Sequence, residues 1–172
     1  MNKVQILVPP PAVLKNGEPD AHGMNRYFNW MADHGVDGLF INGSTGEFTR
    51  LTDDQKVETL RIAKESVGSR MYLIAGAITG SADLTCRLAA RYKEYGADAI
   101  KVLCPSRDFD KIVESCPVPV VMAGGPKGAD ILEVVRGSIA AGGKGCAIGR
   151  NVYQSEDPAS VIKALRKIVH GE

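Results

Sequence analysis

The run Ala97-Asp98-Ala99-Ile100-Lys101-Val102-Leu103 is a hydrophobic strand pattern that a single amine interrupts. Its apolar residues do not alternate with polar ones, and buried strands of parallel sheets have this pattern. Burial disfavours the charged ammonium, so desolvation could lower the pKa of Lys101 and leave some neutral amine, the form that attacks a carbonyl. Alternatively, Lys101 lies near a strand end and extends its amine into solvent. The run alone leaves both interpretations open.

Similar strand patterns alternate with amphipathic helical patterns along the whole chain. The predicted strands cover residues 5–8, 38–42, 71–75, 99–103, 118–123 and 146–148. The predicted helices cover residues 24–33, 52–66, 82–95, 108–115, 130–140 and 158–169. About six βα units result, which predicts an α/β fold of parallel βα units, a shortened TIM-barrel-like fold. An eight-unit barrel typically takes about 250 residues, so six units could close into a smaller barrel, form an open sheet, or be completed by a second chain.

Composition is that of an ordinary soluble globular protein of one domain, residues 1–172. The chain is 44% hydrophobic with a formal net charge of +1, and its basic residues are dispersed. We therefore expect neither nucleic acid nor a membrane as a partner, and we expect a cytoplasmic location. The four cysteines form no CxxC pair or zinc spacing, so they are interpreted as reduced core or near-core residues, and no metal is expected.

Three loops that follow predicted strands are candidates for a site, because such loops build the sites of parallel α/β folds. After the second strand, Ser44 and Thr45 stand between two glycines, where they could bind a carboxylate or phosphate or could cap the next helix. After the fifth and sixth strands come Gly124-Gly125 and Gly149-Arg150. Glycine lets backbone amides approach an anion and arginine adds a charged fork, so these loops predict a phosphate site. Alternatively, the glycines only make a turn and Arg150 pairs with a surface carboxylate.

The two parts of the chain resemble two different families. Residues 1–95, with Asn42-Gly43-Ser44-Thr45-Gly46-Glu47, resemble the start of the dihydrodipicolinate synthase and N-acetylneuraminate lyase family. Residues 96–172 resemble the C-terminal part of archaeal-type class I fructose-bisphosphate aldolases. The motifs are Gly96-Ala97-Asp98-Ala99-Ile100-Lys101, Met122-Ala123-Gly124-Gly125-Pro126-Lys127 and Ala147-Ile148-Gly149-Arg150-Asn151-Val152-Tyr153-Gln154. The resemblances imply a hybrid with a junction near residues 84–98.

Both families are TIM barrels that form a Schiff base on a lysine of their sixth strand. The resemblances therefore imply that Lys101 is the nucleophile, that Gly124, Gly125, Gly149 and Arg150 hold a substrate phosphate, and that Ser44 and Thr45 bind a substrate carboxylate. They imply a small phosphorylated ketone or a 2-oxo acid as the substrate, and no cofactor. An open six-stranded sheet would expose its strand edges and should dimerise, so a homo-oligomer is expected. Strands four and five of the families, with their proton-shuttling tyrosines, have no counterpart here, which predicts impaired turnover. The alternative is a non-catalytic, recombined or engineered scaffold that retains the phosphate site.

Overall fold

The computed structural model describes residues 6–103, 108–124 and 130–171. Six strands lie side by side in the order β1-β4-β5-β6-β7-β8, and β2 and β3 form a separate hairpin. The strands are β1 (Leu7–Val8), β2 (Leu14–Lys15), β3 (Glu18–Pro19), β4 (Gly38–Ile41), β5 (Tyr72–Gly76), β6 (Ala99–Leu103), β7 (Val120–Ala123) and β8 (Cys146–Ala147). Pairing is parallel between β1 and β4, between β4 and β5, and between β7 and β8. The prediction of an α/β fold of parallel βα units is confirmed.

Helices connect the strands of the larger sheet. They are α1 (Ala21–Asp33), α2 (Asp53–Val67), α3 (Ala82–Glu94), α4 (Phe109–Ser115), α5 (Ile131–Ala140), α6 (Arg150–Tyr153) and α7 (Pro158–His170), with a 3₁₀ turn at Phe48–Arg50. Every predicted strand and helix is present, with ends within three residues of the prediction. No helix in the described parts of the chain is long and apolar enough to cross a bilayer.

The chain divides into two compact units. The first contains residues up to Gly76 together with Leu88–Ile100, and the second contains Ala77–Arg87 together with the residues from Lys101 onward. Helix α3 and strand β6 each contribute residues to both units. The single domain inferred from the sequence stays a prediction.

In the first unit, helices α1 and α2 pack against each other. Met24, Phe28 and Met31 are spaced by four and three residues, so they share one face of α1, and all three are buried. Helix α2 begins with a capping box, in which Thr52 accepts a hydrogen bond from the Gln55 amide and the Gln55 side chain accepts one from the Thr52 amide. Caps of this kind typically contribute about 1 kcal/mol, so the polar sequence before α2 sets where the helix starts.

Two aspartates of the first unit fix the starts of neighbouring strands. Asp37 accepts a hydrogen bond from the Ile6 amide at 2.7 Å, and Asp98 accepts one from the Leu73 amide at 2.8 Å. Each aspartate follows a glycine that ends a helix at positive φ, Gly35 at 82° and Gly96 at 90°. The Gly-X-Asp pattern therefore stops a helix and ties the following turn to the adjacent strand.

In the second unit, strands β7 and β8 pair, and helices α5 and α7 pack against each other. Asp130 caps α5 by accepting hydrogen bonds from two amides of its first turn, and Asp157 caps α7 by accepting one from the Ser160 amide. Buried Val135 of α5 and Leu165 of α7 belong to the core of this unit. The predicted start of the last helix at Asp157-Pro158 is confirmed.

Gly137 lies inside α5, and among the described residues no atom from another part of the chain lies within 4 Å of the position that a Cβ would take. Glycine in a helix interior costs about 0.5–1 kcal/mol relative to alanine. We therefore expect Gly137→Ala to raise the free energy of unfolding by about 0.5–1 kcal/mol in urea denaturation followed by circular dichroism. A decrease would mean that the exposed face of α5 at Gly137 is not open.

Candidate functional site

Lys101 lies at the centre of β6, the fourth strand in the order of the sheet. Its neighbours Ile100 and Val102 are buried, whereas Lys101 itself is half-buried. Its carbonyl oxygen accepts a hydrogen bond from the Ala77 amide at 2.9 Å, which fixes the backbone of β6 at this residue. Burial lowers the pKa of the Lys101 amine below its usual value. The amine is therefore easier to deprotonate than that of an exposed lysine, as a nucleophile requires.

The second unit also contains the predicted phosphate loops. Gly124 follows β7 directly, and its amide donates to the Ala147 carbonyl of β8 at 3.1 Å. Gly149 immediately precedes α6, which begins with Arg150. A Cβ on Gly124 would lie 3.3 Å from the Ile148 side chain, so the ends of β7 and β8 approach closely. Gly125, the remaining residue of the predicted phosphate set, lies outside the described residues.

Arg150 is exposed at this end of the second unit. Within the described ranges, its guanidinium makes no ion pair or hydrogen bond with another residue. The sequence left open that Arg150 pairs with a surface carboxylate, but no carboxylate among the described residues pairs with it. Its charged fork is available to an anion.

The predicted carboxylate loop belongs to the first unit. Ser44 and Thr45 are exposed, between buried Gly43 and Gly46. The Glu47 amide donates to the Ser44 carbonyl at 3.1 Å, so the loop is a tight turn. The alternative role of the two hydroxyls as the cap of the next helix is not observed, because Thr52 is the cap of α2.

Glu47 is the acidic residue that ends this loop. It adopts a left-handed conformation with φ at 50°, and its carboxylate pairs with Arg50 at 3.1 Å. Both side chains are more than half exposed. Exposed pairs of this type contribute about 0–1 kcal/mol, so the pairing leaves the Glu47 carboxylate accessible to a ligand.

Asn42 and Tyr92 form a buried pair that the sequence analysis did not identify. The Asn42 side-chain amide donates to the Tyr92 hydroxyl at 2.9 Å, although the two residues are 50 positions apart. Asn42 is 2% exposed and Tyr92 is fully buried. The position of Asn42 directly after an apolar strand could have marked it as a candidate site residue. No local sequence pattern indicates that Tyr92 is its partner.

The cysteines contribute no recognisable site. Cys86, Cys116 and Cys146 are free and half-buried, and Cys104 lies outside the described residues. Burial raises the pKa of the Cys116 and Cys146 thiols, which disfavours the thiolate. Where the structure describes the chain, no cluster of three or more histidine, cysteine or acidic side chains could hold a metal ion.

Comparison with known proteins relates the chain to one family and to several curated proteins. The dihydrodipicolinate synthetase family matches residues 5–106, more than half of the chain. A 2-amino-3,7-dideoxy-D-threo-hept-6-ulosonate synthase of Archaeoglobus fulgidus is 37% identical over 143 residues, which are 80% of this chain and 54% of that enzyme. A 3-hydroxy-5-phosphonooxypentane-2,4-dione thiolase of Salmonella typhimurium is 43% identical over 89 residues, 51% of this chain and 30% of that protein. The chain thus spans about half or less of the length of these relatives.

Solved structures show the same fold. The dihydrodipicolinate synthase of Acinetobacter baumannii, in complex with pyruvate, superimposes with a TM-score of 0.82 at 20% identity. The superposition covers 97% of this chain and 60% of that enzyme. The family match extends through residue 106, past the predicted junction at 84–98 and across Lys101.

Proposed function

Because the chain belongs to the dihydrodipicolinate synthetase family, we propose that it is a class I aldolase or lyase that forms a Schiff base through Lys101. The observation that carries this proposal is a half-buried lysine in the middle of β6 whose pKa is lowered by burial. An amine in that state combines a fixed position with a larger neutral fraction at neutral pH, and both favour attack on a ketone.

The chemistry follows from the amine. The Lys101 nitrogen bonds to the carbonyl carbon of a ketone, and the carbonyl oxygen leaves as water to give a protonated imine. When the bond between the α and β carbons breaks, its electron pair moves toward the imine and forms an enamine, while the hydroxyl on the β carbon gives its proton to a base and becomes the carbonyl of the leaving fragment. Protonation of the enamine and hydrolysis of the resulting imine then release the second product and restore the lysine. This route calls for no cofactor.

A phosphate anchor in the second unit would orient the substrate. Gly149 is exposed and directly precedes Arg150, whose exposed guanidinium offers a charged fork. Gly124 stands at the end of β7, where its own amide is already bonded to the Ala147 carbonyl of β8, so its proposed part is to shape the loop. Gly125 completes the proposed set from the sequence. Charge-assisted hydrogen bonds from arginine to phosphate are about twice as strong as neutral ones, so Arg150 would contribute most of the side-chain attraction.

The substrate class we propose is a small phosphorylated ketone. The thiolase relative is named for a phosphorylated dione, which supports this class. A 2-oxo acid is the second candidate, because the exposed Ser44 and Thr45 hydroxyls and the turn that holds them suit a carboxylate.

The test is imine trapping. The protein is incubated with dihydroxyacetone phosphate or with pyruvate, reduced with borohydride, and measured by intact mass. A mass increase of one reduced ketone supports the proposal and identifies the preferred electrophile. No adduct from either ketone, in a protein shown to be folded, would contradict it and favour the alternative of a non-catalytic scaffold that retains the phosphate site.

Arg150→Met should weaken the binding of inorganic phosphate by about 10- to 100-fold. The loss follows from the roughly 1.5–3 kcal/mol that hydrogen bonds to charged groups contribute, at about 1.4 kcal/mol for each factor of ten. Isothermal titration calorimetry measures the dissociation constant. Lys163→Met, which removes an exposed charge from α7 instead, is the matched control. Equal weakening by the two variants would indicate a general charge effect and contradict the assigned anchor.

The proposal also covers the origin of the chain, its rate of turnover and its assembly. A hybrid of two aldolase-type families rests on the two resemblances read from the sequence, whereas the family match to residue 106 and the relative matched over 143 residues both extend across the predicted junction. The absence of counterparts to the tyrosine proton shuttle in the sequence supports impaired turnover, since general acid–base catalysis contributes roughly 10²- to 10⁴-fold in rate. Homo-oligomeric assembly and a cytoplasmic location complete the proposal.

A further inference from the structure

Asn42 is buried and hydrogen-bonded, although the turn that it begins has exposed side chains. It follows β4 directly, is 2% exposed, and has a left-handed φ of 57°. Its side-chain amide donates two hydrogen bonds, one to the Lys56 carbonyl of α2 and one to the Tyr92 hydroxyl of α3, both at 2.9 Å. Asparagine tolerates this backbone region better than most residues, and the two bonds fix the direction in which the chain leaves β4.

Tyr92 connects Asn42 to β5, the strand that follows β4 in the sheet. Its hydroxyl donates to the Gly76 carbonyl at the end of β5, at 3.3 Å. Burial raises the pKa of the phenol, so Tyr92 stays neutral and keeps its proton for this bond at physiological pH. One buried hydroxyl therefore links the end of β5 to the residue at which the turn after β4 begins.

The turn that Asn42 starts contains the proposed carboxylate-binding hydroxyls. Gly43 comes next, and a Cβ there would lie 2.5 Å from the Phe40 ring, so the ring covers the backbone at this point. Ser44 and Thr45 follow with exposed side chains. One residue separates Ser44 from Asn42 and two residues separate Thr45 from it, so a change in the backbone at Asn42 displaces both side chains.

Burying Asn42 has a cost that this arrangement must offset. Its side-chain oxygen is buried and finds no hydrogen-bond donor among the described residues. An unsatisfied buried acceptor typically costs about 1–3 kcal/mol, which a smaller residue at this position would avoid. A role in positioning the turn explains why a costly polar side chain stands here.

We propose that Asn42 and Tyr92 are positioning residues that hold the Gly43–Gly46 turn in the conformation that binds the carboxylate of a small 2-oxo acid. This inference rests on the carboxylate role proposed above for Ser44 and Thr45. Tyr92 acts through Asn42, and neither residue is assigned a contact with the ligand. The buried hydrogen bonds of Asn42 and Tyr92 fix the backbone from which the turn with the two hydroxyls begins.

Tyr92→Phe is the primary test, because it removes only the hydroxyl. We expect amide hydrogen exchange of residues 43–47 to become at least several-fold faster, and the dissociation constant for pyruvate in calorimetry to rise about tenfold. Tyr72→Phe is the matched control. It removes a hydroxyl that also donates to a backbone carbonyl at 3.3 Å, that of Asp98, but at the start of β5. The control should leave both readouts at wild-type values.

A second variant keeps the test informative if Tyr92→Phe does not fold. Asn42→Gly suits the positive φ and deletes both side-chain hydrogen bonds. It should give the same changes as Tyr92→Phe, and the double variant should add little, because the two residues act through one contact. If the effects of the two substitutions on exchange and on pyruvate binding were additive in the double variant, Tyr92 would not act through Asn42.

The two proposals fail in different ways. Unchanged exchange of residues 43–47 in folded Tyr92→Phe and Asn42→Gly proteins would overturn the positioning role, whatever pyruvate does. Faster exchange in these variants together with no binding of pyruvate to the wild-type protein would overturn the carboxylate role of the turn instead. Equal effects of Tyr72→Phe and Tyr92→Phe would indicate general destabilisation and contradict the inference.

Discussion

Lys101→Met should abolish the borohydride-trapped adduct with whichever ketone the wild-type protein accepts. Methionine fills similar volume on β6 but has no nucleophile, so the expected loss is complete within detection. Lys144→Met is the control, since Lys144 is an exposed lysine of the same unit. It should leave the adduct unchanged. Intact mass after reduction, with peptide mapping of the modified lysine, measures both variants.

The same experiment has a pH dependence whose sign the structure fixes. Burial lowers the pKa of Lys101, so its neutral amine becomes abundant at lower pH than that of an ordinary lysine. The rate of adduct formation should rise with pH and level off below the usual pKa of lysine, about 10.4. A rate that continues to rise through that value would indicate an unperturbed, solvated amine and contradict a desolvated nucleophile.

Lys101→Met also decides between two ways of numbering the strands. The family match covers residues 5–106 and so includes β1, β4, β5 and β6, and counted along the chain β6 is the fourth strand of the larger sheet. The resemblance to the class I aldolases instead places Lys101 on the sixth strand, where those enzymes form their Schiff base. Loss of the adduct in Lys101→Met would support the aldolase correspondence. An adduct that persists would contradict it and move the nucleophile to another lysine.

Local patterns were sufficient to predict the elements of the sheet. Strands such as β5 and β6 are short continuous apolar runs, and the glycines that end the preceding helices have positive φ, as at Gly68 and Gly96. The β2–β3 hairpin was missed, although its Asn16-Gly17 turn, with both residues at positive φ, is a strong hairpin signal. Its strands have only two residues each, too few for a period to be recognised.

The candidate site was less predictable, because its determinants are separated in the chain. Ser44 and Thr45 could be identified as candidates from their glycine-flanked turn, but only the capping box at Thr52 shows that they do not cap α2. The contact between Asn42 and Tyr92 depends on how α3 packs, which no local spacing encodes. The partly buried state of Lys101 likewise depends on the neighbours of β6 rather than on the run that contains it.

Gly76→Ala should strongly destabilise the protein, because the added methyl group has no room. A Cβ at this position would lie 2.4 Å from the Asn42 carbonyl oxygen, a backbone atom. Relief requires the ends of β4 and β5 to separate, which would break the Tyr92 bond to the Gly76 carbonyl. Overpacking costs typically 1–3 kcal/mol, and loss of a buried hydrogen bond adds about 1 kcal/mol.

The expected decrease in the free energy of unfolding is therefore about 2–4 kcal/mol, measured by urea denaturation. Gly137→Ala, which adds the same methyl group to an open helix position, is the matched control and should change stability in the opposite direction. Because the clash is at the start of the Gly43–Gly46 turn, amide exchange of residues 43–47 should also increase in Gly76→Ala. A stable Gly76→Ala protein with wild-type exchange would mean that β4 and β5 do not approach as closely as the structure indicates, and it would remove the geometric basis for the Asn42–Tyr92 connection.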